Sequence, residues 1–279
     1  FCVFSTLEWV QLDGSMTIQT DPNIDHELIV GIGNKVFKED RFVNKKRVVG
    51  ITTMFSGDGS YELSNTSKDV PFEDYLDELL QSLNTNINHI RKKNNWQKGD
   101  TLRLIFHVFK PFRDDEIDSI EKVVNELQKD FEVQYAYITI SHHHPYLLFD
   151  ETQGGRPDYR NDKKLKGVWQ PNRGTALQLD QYSCLLQLIG PNEIKTHLHG
   201  LSAPVLIKLH KKSTFKSLPY LVKQIYKFSY ISWRSFFPAS HPITIDYSNQ
   251  IADLLGSLRE TEGWNSSSLM KLKYKAWFL

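Results

Sequence analysis

The amino-acid sequence predicts an α/β fold in which helices cover a mixed β-sheet. Hydrophobic residues make up 40% of the 279 positions, which is enough apolar surface for a sizeable core. Short apolar segments rich in β-branched residues come first, as is typical of buried strands. Segments with helical periodicity then alternate with further strand-like segments, and this order favours crossover connections within one sheet.

The first predicted elements are strands. Residues 28–33 and 47–55 are short, branched and apolar, and the Gly-rich turn at 56–59 leads into a third strand. This spacing predicts antiparallel hairpins. Residues 1–24 show no clear period and end in a turn-like sequence, so we expect a lead-in from an upstream segment there and one domain over residues 25–279.

Helices and strands alternate in the middle of the chain. Apolar residues at helical spacing follow Pro71, with acidic residues near the start, and predict a helix over residues 72–90. A second helix is predicted over residues 114–127, where acidic residues begin the segment. The apolar runs at 102–108 and 133–140 predict buried strands beside these helices.

The C-terminal part of the chain is predicted to begin with a loop and to end in helices. The polar, Gly- and charge-rich stretch 150–174 is interpreted as a long loop or an excursion from the domain. Strands are predicted at 175–179 and 204–209. Helices are predicted at 218–228 and 246–258, so the mixed sheet is expected to be covered by several helices.

Composition excludes several classes of protein. With 34 Lys and Arg against 33 Asp and Glu, the overall charge favours no anionic partner, so any basic site must be local. No apolar run approaches the roughly 20 residues of a membrane-spanning helix. Two cysteines cannot form a disulfide framework, which favours a reducing, cytoplasmic setting, and Cys184 is interpreted as a core thiol. Because the chain begins with Phe1 and shows no signal peptide, we expect a piece of a longer polypeptide.

Several short motifs follow one another along the second half of the chain. They are a Gly-Thr segment, a Gly-x-x-x-Pro element, a helix with Leu and Tyr, a Pro-x-x-x-x-Tyr helix start and an aromatic, aliphatic ending. These motifs lie at residues 172–175, 199–205, 221–233, 242–252 and 277–279. In this order they resemble the PIWI domain of prokaryotic Argonaute proteins, and the resemblance covers most of the chain. It implies an RNase H-like fold, in agreement with the predicted order of strands and helices.

The resemblance also implies where an active nuclease of this family holds two divalent cations, one of which activates water. The first Asp corresponds to Gly33, the second falls in the stretch occupied by Phe109, and the last ligand, Asp or His, corresponds to Asn249. A two-metal centre does not tolerate displaced ligands, so other acids are not expected to replace these three. The other acids near these elements are Asp58, Glu62, Asp246 and Asp253. We therefore expect no nuclease activity.

Guide binding is expected at the C-terminus. In the family, a cation coordinated by the C-terminal carboxylate helps to hold the 5′ phosphate of a guide strand. The resemblance implies such a Mg²⁺ site at Leu279, with Trp277 and Phe278 docking the tail, and a phosphate contact at Arg234. The alternatives are a hydrophobic tail that only packs on the core and a surface ion pair of Arg234.

A local basic patch and several histidines are further candidates. Residues Lys208, Lys211 and Lys212 are expected to follow a guide or target backbone, although such a charge run also occurs on solvated surfaces. In the His tract at 142–144, neighbouring strand residues point to opposite faces, which disfavours chelation and leaves His144 or His143 as a phosphate contact. His197 and His199 lack further ligands nearby, so a zinc site is disfavoured.

The resemblance implies guide-dependent binding of nucleic acid by a catalytically inactive, short-type Argonaute module. Guide and target can each be RNA or DNA. Inactive short members of the family work beside a separate effector that carries a TIR, sirtuin-like, nuclease or membrane module, so an effector partner and a role in prokaryotic antiviral defence are expected. The alternatives are a divergent metal-dependent RNase H-like nuclease with relocated carboxylates and a protein-interaction scaffold that binds no nucleic acid.

Overall fold

The computed structural model describes residues 9–12, 18, 20–38, 46–67, 70–232, 238–259, 275 and 278. The strands within these ranges are β1 (Trp9–Gln11), β2 (His26–Lys38), β3 (Lys46–Ser56), β4 (Tyr61–Thr66), β5 (Val70–Pro71), β6 (Thr101–Val108), β7 (Glu132–Ser141), β8 (Arg156–Asp158), β9 (Asn161–Lys166), β10 (Thr175–Asp180), β11 (Ser183–Leu186) and β12 (Val205–Leu209). The helices are α1 (Tyr75–Lys93), α2 (Asp114–Leu127), α3 (Leu218–Phe228) and α4 (Ile243–Arg259).

The chain forms two compact units. The first unit consists of Phe1–Ile18 and Ile138–Ile243, and the second consists of Gln19–Tyr137 and Thr244–Leu279. Strand β7 is divided between them. Within the described residues, no helix combines the length and the apolar character that a bilayer crossing requires.

The second unit is built on a mixed sheet. Its strand order is β7, β6, β2, β3, β4, with β5 also paired to β3. Strand β2 runs parallel to β6 and antiparallel to β3, and β3 runs antiparallel to β4. The predicted mixed sheet and its antiparallel hairpins are thus confirmed.

Helices α1 and α2 cover one face of this sheet. Their apolar stripes are fully buried, with Leu83 and Ile87 from α1 and Ile117 and Ile120 from α2 in one cluster with the strands. Helix α2 begins where the side chain of Glu116 accepts a hydrogen bond from the backbone N–H of Arg113 at 3.0 Å, which satisfies a donor at the helix N-terminus.

The first unit has an antiparallel sheet. Its strand order is β1, β10, β11, β12 and the last part of β7. The buried face of α3 carries Leu221, Ile225 and Phe228. Strands β8 and β9 pair only with each other among the described strands and form a separate two-stranded sheet.

Most predicted elements are found, with differences at three places. Helices α2 and α3 keep their predicted bounds, whereas α1 starts only at Tyr75, after one 3₁₀ turn over Phe72–Asp74. Helix α4 begins at Ile243 directly after Pro242, so Asp246 lies inside its first turn rather than at its start. The prediction of a long loop over 150–174 was wrong in part, because β8 and β9 form a hairpin there without an apolar period.

Candidate nucleic-acid interface

In the second unit, helix α4 packs directly on the backbone of β2. A Cβ atom added at Gly31 would lie 2.3 Å from the carbonyl oxygen of Thr244 and 2.5 Å from the Oγ1 of Thr53. A Cβ atom at Gly33 would lie 3.1 Å from the Cβ of Ser248. The two glycines therefore allow a close approach that a side chain would prevent at Gly31 and restrict at Gly33.

Neutral hydroxyl groups surround this contact, on α4 itself and on the neighbouring strand β3. The Oγ1 of Thr53 donates to the carbonyl oxygen of Thr244 at 3.1 Å, and the Oγ of Ser248 donates to the same oxygen at 2.9 Å. The Nδ1 atom of His107, on β6, lies 2.9 Å from the Oγ1 of Thr244. This face of the sheet is therefore held by hydrogen bonds between uncharged groups.

His107 is fully buried at this contact and is neutral. Burial lowers the pKa of His107 to about 3, because the imidazolium form would lose its hydration without gaining a counter-charge. Its Nε2 atom has no hydrogen-bond partner within the described part of the chain. The imidazole thus contributes packing and one hydrogen bond, but no charge.

The three predicted metal-ligand positions all lie in the second unit and none offers a carboxylate. Gly33 and Phe109 line one cavity of about 260 Å³, together with the aromatic side chains of Phe72 and Phe112. Asn249 is exposed on α4 and is not among the residues that line this cavity. The structure therefore brings two of the three positions to one cavity, whose lining is largely apolar but also includes Lys110, Arg113 and Glu116.

The four other acids have separate partners. The Oδ1 of Asp58 accepts a hydrogen bond from the backbone N–H of Ser60, and the Oδ2 of Asp246 accepts one from the side-chain amide of Gln250. The Oδ1 of Asp253 lies 3.7 Å from the Nζ of Lys35. Among the described residues, no three His, Cys, Asp or Glu side chains come together in a way that could hold a metal ion.

Glu62 is bound by groups of its own surroundings. Its Oε2 accepts from the Nζ of Lys93 at 2.8 Å and its Oε1 from the Oγ of Ser56 at 2.7 Å. Burial raises the pKa of Glu62, but these hydrogen bonds outweigh it and hold the pKa below its ordinary value. This carboxylate is already engaged as a structural ion pair.

The predicted basic patch lies in the first unit, at the end of β12. Lys208, Lys211 and Lys212 are all exposed, and Lys208 projects from β12 opposite Ser183 of β11. Hydrogen bonds from Ser183 and Tyr182 hold the pKa of Asp180 below its ordinary value, and the charge of Lys208 contributes to this shift. Lys208 therefore has an acidic neighbour, whereas a phosphate contact of the patch stays a prediction.

The ring nitrogens of His144 are both engaged within the first unit. Its Nε2 lies 2.8 Å from the carbonyl oxygen of Pro204, and its Nδ1 accepts the backbone N–H of Tyr146 at 3.2 Å. A phosphate contact by this side chain would require one of these bonds to open. His142 instead packs edge-on against His241, while His143 is exposed, so the tract does not converge on one point.

The remaining singled-out residues of the first unit have structural partners. His197 Nδ1 lies 2.7 Å from a carboxylate oxygen of Asp158, and His199 Nδ1 lies 2.7 Å from the hydroxyl of Thr196. The motif residue Arg173 is buried, with its guanidinium 4.3 Å from the ring centre of Tyr230.

Cys184 is buried in β11, as expected of a core thiol. Burial raises the pKa of Cys184 to about 12. The thiol is therefore protonated at neutral pH and a poor nucleophile.

The predicted guide-phosphate residues Arg234 and Leu279 lie outside the described residues, as does Trp277. Phe278 is described: only 6% of it is exposed, and its ring packs edge-on against Tyr247 of α4 with 5.0 Å between ring centres. Phe278 therefore packs on α4, as both the predicted docking of the tail and the alternative of a tail that only packs on the core require, and the roles of its neighbours stay predictions.

The contact between α4 and β2 is the feature that the sequence analysis missed. The sequence pointed to Gly33 only as a missing ligand position, and it did not point to Gly31, Thr53, Thr244 or Ser248. A Gly-x-Gly pair within a strand and hydroxyl residues four apart on a helix were available as signals of close packing.

Comparison with known proteins identifies the wider group to which these features belong. A family model described as "Piwi domain" matches residues 11–260. The "Protein argonaute" of Cereibacter sphaeroides is 39% identical over 99% of this chain, and the chain spans 36% of that relative's length.

Solved structures agree with the fold. The Marinitoga piezophila Argonaute in complex with a 5′ OH guide RNA superposes with a TM-score of 0.57 at 13% identity, over 81% of this chain and 30% of that one. The Clostridium butyricum Argonaute bound to a guide DNA and a 19-mer target DNA gives a TM-score of 0.55 at 15% identity, over 86% and 28%. The RNase H-like architecture expected from the sequence is thereby confirmed.

Proposed function

The chain belongs to the Piwi domain family of Argonaute proteins, and on that premise we propose that it binds a short guide strand and captures complementary nucleic acid without cleaving it. The observation that carries the proposal is the character of the three ligand positions: a glycine, an aromatic residue and an exposed amide replace the acids, inside a fold whose solved relatives hold guide strands.

The proposed absence of cleavage follows from the metal-ligand atoms that the three positions offer. A bound pair of divalent cations activates water and stabilises the leaving oxygen. Gly33 has no side chain, Phe109 has no donor atom, and the amide of Asn249 is a weaker ligand than a carboxylate. The residues present do not fit two metal ions, so no step of this proposal uses them.

Nucleic-acid capture requires only phosphate contacts and base pairing. Sequence specificity then resides in the guide, while the protein contacts phosphates and sugars. Lys208, Lys211 and Lys212 are exposed for such contacts. Whether guide and target are RNA or DNA is left to the experiment, because the solved relatives include a guide RNA complex and a complex of guide and target DNA.

The 5′ end of the guide is proposed to lie near the C-terminal tail. The support is Phe278, which is buried against Tyr247 of α4. A carboxylate at Leu279 would supply a hard oxygen ligand for Mg²⁺, and the fork of Arg234 suits a phosphate. Removal of Leu279, or the substitution Arg234→Ala, should weaken the binding of 5′-phosphorylated guides more than the binding of 5′-hydroxyl guides. An equal loss for both guides would contradict the phosphate role.

A separate effector protein completes the proposal. Its support is the family resemblance alone: capture of a target would switch on an effector of the TIR, sirtuin-like, nuclease or membrane type, in defence against invading nucleic acid. Copurification of the natural full-length protein with the products of neighbouring genes, with and without a matched target, tests this part separately.

Sequencing of the small nucleic acids that copurify with the natural full-length protein tests the central claim. We expect a population of short strands of defined length. The loaded protein is then incubated with a labelled matched target and Mg²⁺ or Mn²⁺, and we expect retention of an intact target. Metal-dependent cleavage would establish a divergent nuclease instead, and a protein free of nucleic acid that binds no labelled oligonucleotide would establish a scaffold.

A further inference from the structure

The separate hairpin of strands β8 and β9, residues 156–166, has no part in the functions described above. Resting on the proposed function, we infer that this hairpin, together with Trp169, is a contact surface for unpaired nucleotides of the bound nucleic acid. Its cations hold phosphates, and its exposed aromatic rings stack on bases. The name basic hairpin is used below for residues 156–166.

Charge in the basic hairpin is strongly one-sided. It contains five Lys and Arg residues against two Asp residues, in a chain whose totals are 34 and 33. Within the described part of the chain, Arg156, Lys163 and Lys164 form no ion pair, and all three are exposed. A polyanion would meet little competition from acidic groups of the chain at this surface.

The strand pairing adds to this accumulation of charge. Arg156 lies directly opposite Lys166, and Lys164 shares their face because it is two residues from Lys166. Like charges opposite each other destabilise a pair of strands. The Nζ of Lys166 donates hydrogen bonds to the carbonyl oxygens of Asn192, at 3.2 Å, and of Ile194, which partly offset this repulsion. Arg156 and Lys164 remain available to an anionic ligand.

Exposed aromatic side chains stand at both ends of the basic hairpin. Tyr159, at the turn, is 73% exposed, and the guanidinium carbon of Arg160 lies 5.4 Å from its ring centre. Trp169, three residues after β9, is 54% exposed. Planar aromatic and guanidinium groups next to cations are the combination on which single-stranded nucleic acids stack.

The backbone at Trp169 is held in an unfavourable conformation. Its φ angle is +60°, in the left-handed region that bulky residues rarely adopt. The N–H of Trp169 donates to the carbonyl of Gln153 at 2.9 Å, and its own carbonyl accepts the N–H of Asp150 at 3.0 Å. These two bonds fix the backbone, while the indole stays exposed to solvent. Burial of the indole therefore does not compensate for the backbone strain.

A buried carboxylate anchors the basic hairpin to its unit. Asp158 is buried and accepts the backbone N–H of His197 at 2.8 Å, the Nδ1 of His197 at 2.7 Å and the N–H of Arg160 at 2.9 Å. A two-stranded sheet is marginal by itself, so this anchor keeps the cations and Tyr159 in a defined arrangement. A preorganised surface loses less entropy on binding.

The test measures binding of a fluorescent single-stranded oligonucleotide to the natural full-length protein loaded with its guide, over a range of salt concentrations. The variants are R156Q/K164Q, which removes the two available cations on one face, Y159L and W169N. Asn is chosen at position 169 because it tolerates the left-handed backbone. The matched control is K122Q/K129Q. It also removes two exposed lysines, Lys122 within α2 and Lys129 two residues after its end.

Loss of two phosphate contacts should reduce the log–log salt slope by about 1.4, at roughly 0.7 per phosphate of a single strand. Loss of one stacked ring should weaken single-strand binding roughly 5- to 150-fold, with little change for a blunt duplex. The control should leave both quantities unchanged.

The two proposals fail in different ways. If the native protein binds no guide, the proposed function fails. If it binds guides while the hairpin variants keep native affinity and salt slope, the inference alone is overturned. The inference is also overturned if the native protein binds anionic lipid vesicles or an acidic peptide more strongly than the oligonucleotide and R156Q/K164Q abolishes that binding.

Discussion

The contact between α4 and β2 and the basic hairpin handle charge in opposite ways. In the second unit, the contact between α4 and the sheet is made by glycines, hydroxyls and a neutral imidazole, all buried. In the first unit, the hairpin carries five cations on an exposed surface. The chain as a whole has a net charge of +1, so the location of charge distinguishes these regions, not its amount.

The difference between the two regions follows from the cost of burying charge. Closely spaced carboxylates repel each other unless a cation lies between them, and a buried carboxylate without a partner is unfavourable. Under the proposed function no metal ion lies at this contact, and small neutral groups then avoid the cost that buried acids would carry. Exposed cations stay hydrated, so the hairpin keeps its charge at little cost to folding.

The largest expected effect comes from Gly31→Ala. The new methyl group would lie 2.3 Å from a backbone oxygen, and the helix must shift because that atom cannot rotate away. We expect a loss of about 3 kcal/mol or more in the free energy of unfolding, by urea denaturation. Gly33→Ala, whose methyl group would lie 3.1 Å from the Cβ of Ser248 and touch no backbone atom that closely, should lose less. Gly200→Ala, with open space around it, should change little. Equal effects at Gly31 and Gly200 would show that α4 does not pack on β2.

A smaller effect is expected on acidification, through His107. The folded protein keeps this imidazole neutral down to about pH 3, whereas the unfolded chain takes up a proton below 6.5. Stability is therefore fully present above pH 6.5 and is lost as the pH falls, by about 2 kcal/mol at pH 5. His107→Asn should flatten the change in unfolding free energy between pH 7 and pH 5, while the same substitution at the exposed His143 should not. An unchanged slope in His107→Asn would contradict the neutral buried state.

The smallest effect is local and concerns the anchor of the basic hairpin. Backbone N–H groups of His197 and Arg160, followed by the side chain of His197, lower the pKa of Asp158 from 3.8 to about 2. The anchor is therefore present above pH 3.8 and is lost as the pH falls towards 2. The amide resonance of His197, followed by NMR, should shift with a midpoint near 2.

Two substitutions sharpen that measurement. Asp158→Asn should remove the shift of the His197 resonance, whereas Asp162→Asn, at an exposed position of the same hairpin, should leave it in place. A midpoint near 3.8 in the native protein would mean that the carboxylate does not hold His197.

The sequence predicted those parts of the fold that depend on local pattern. Helices α2 and α3 follow from apolar periodicity, and the strands around β2 follow from branched apolar runs. The packing of α4 on β2 was not predictable in this way, because a glycine does not reveal which backbone it faces. The hydrogen bond beside it joins Thr53 of β3 to Thr244 of α4, which are 191 positions apart. The basic hairpin escaped prediction because its strand residues are charged and its pairing depends on a buried anchor.

The same limit applies to the site. Motif resemblance located Gly33 and Phe109, which the structure brings to one cavity. It also singled out His144, whose ring nitrogens are both engaged by backbone groups that no motif specifies. Which side chain is accessible depends on neighbours from distant segments.

The left-handed backbone at Trp169 has an evolutionary consequence. Glycine adopts this conformation without strain, so Trp169→Gly is expected to raise the melting temperature or leave it unchanged. Under the inference above, the tryptophan at this position lowers the stability of the fold and strengthens the binding of nucleic acid. Selection experiments for thermostability alone should therefore discard this tryptophan early, whereas selection for nucleic-acid capture should retain it.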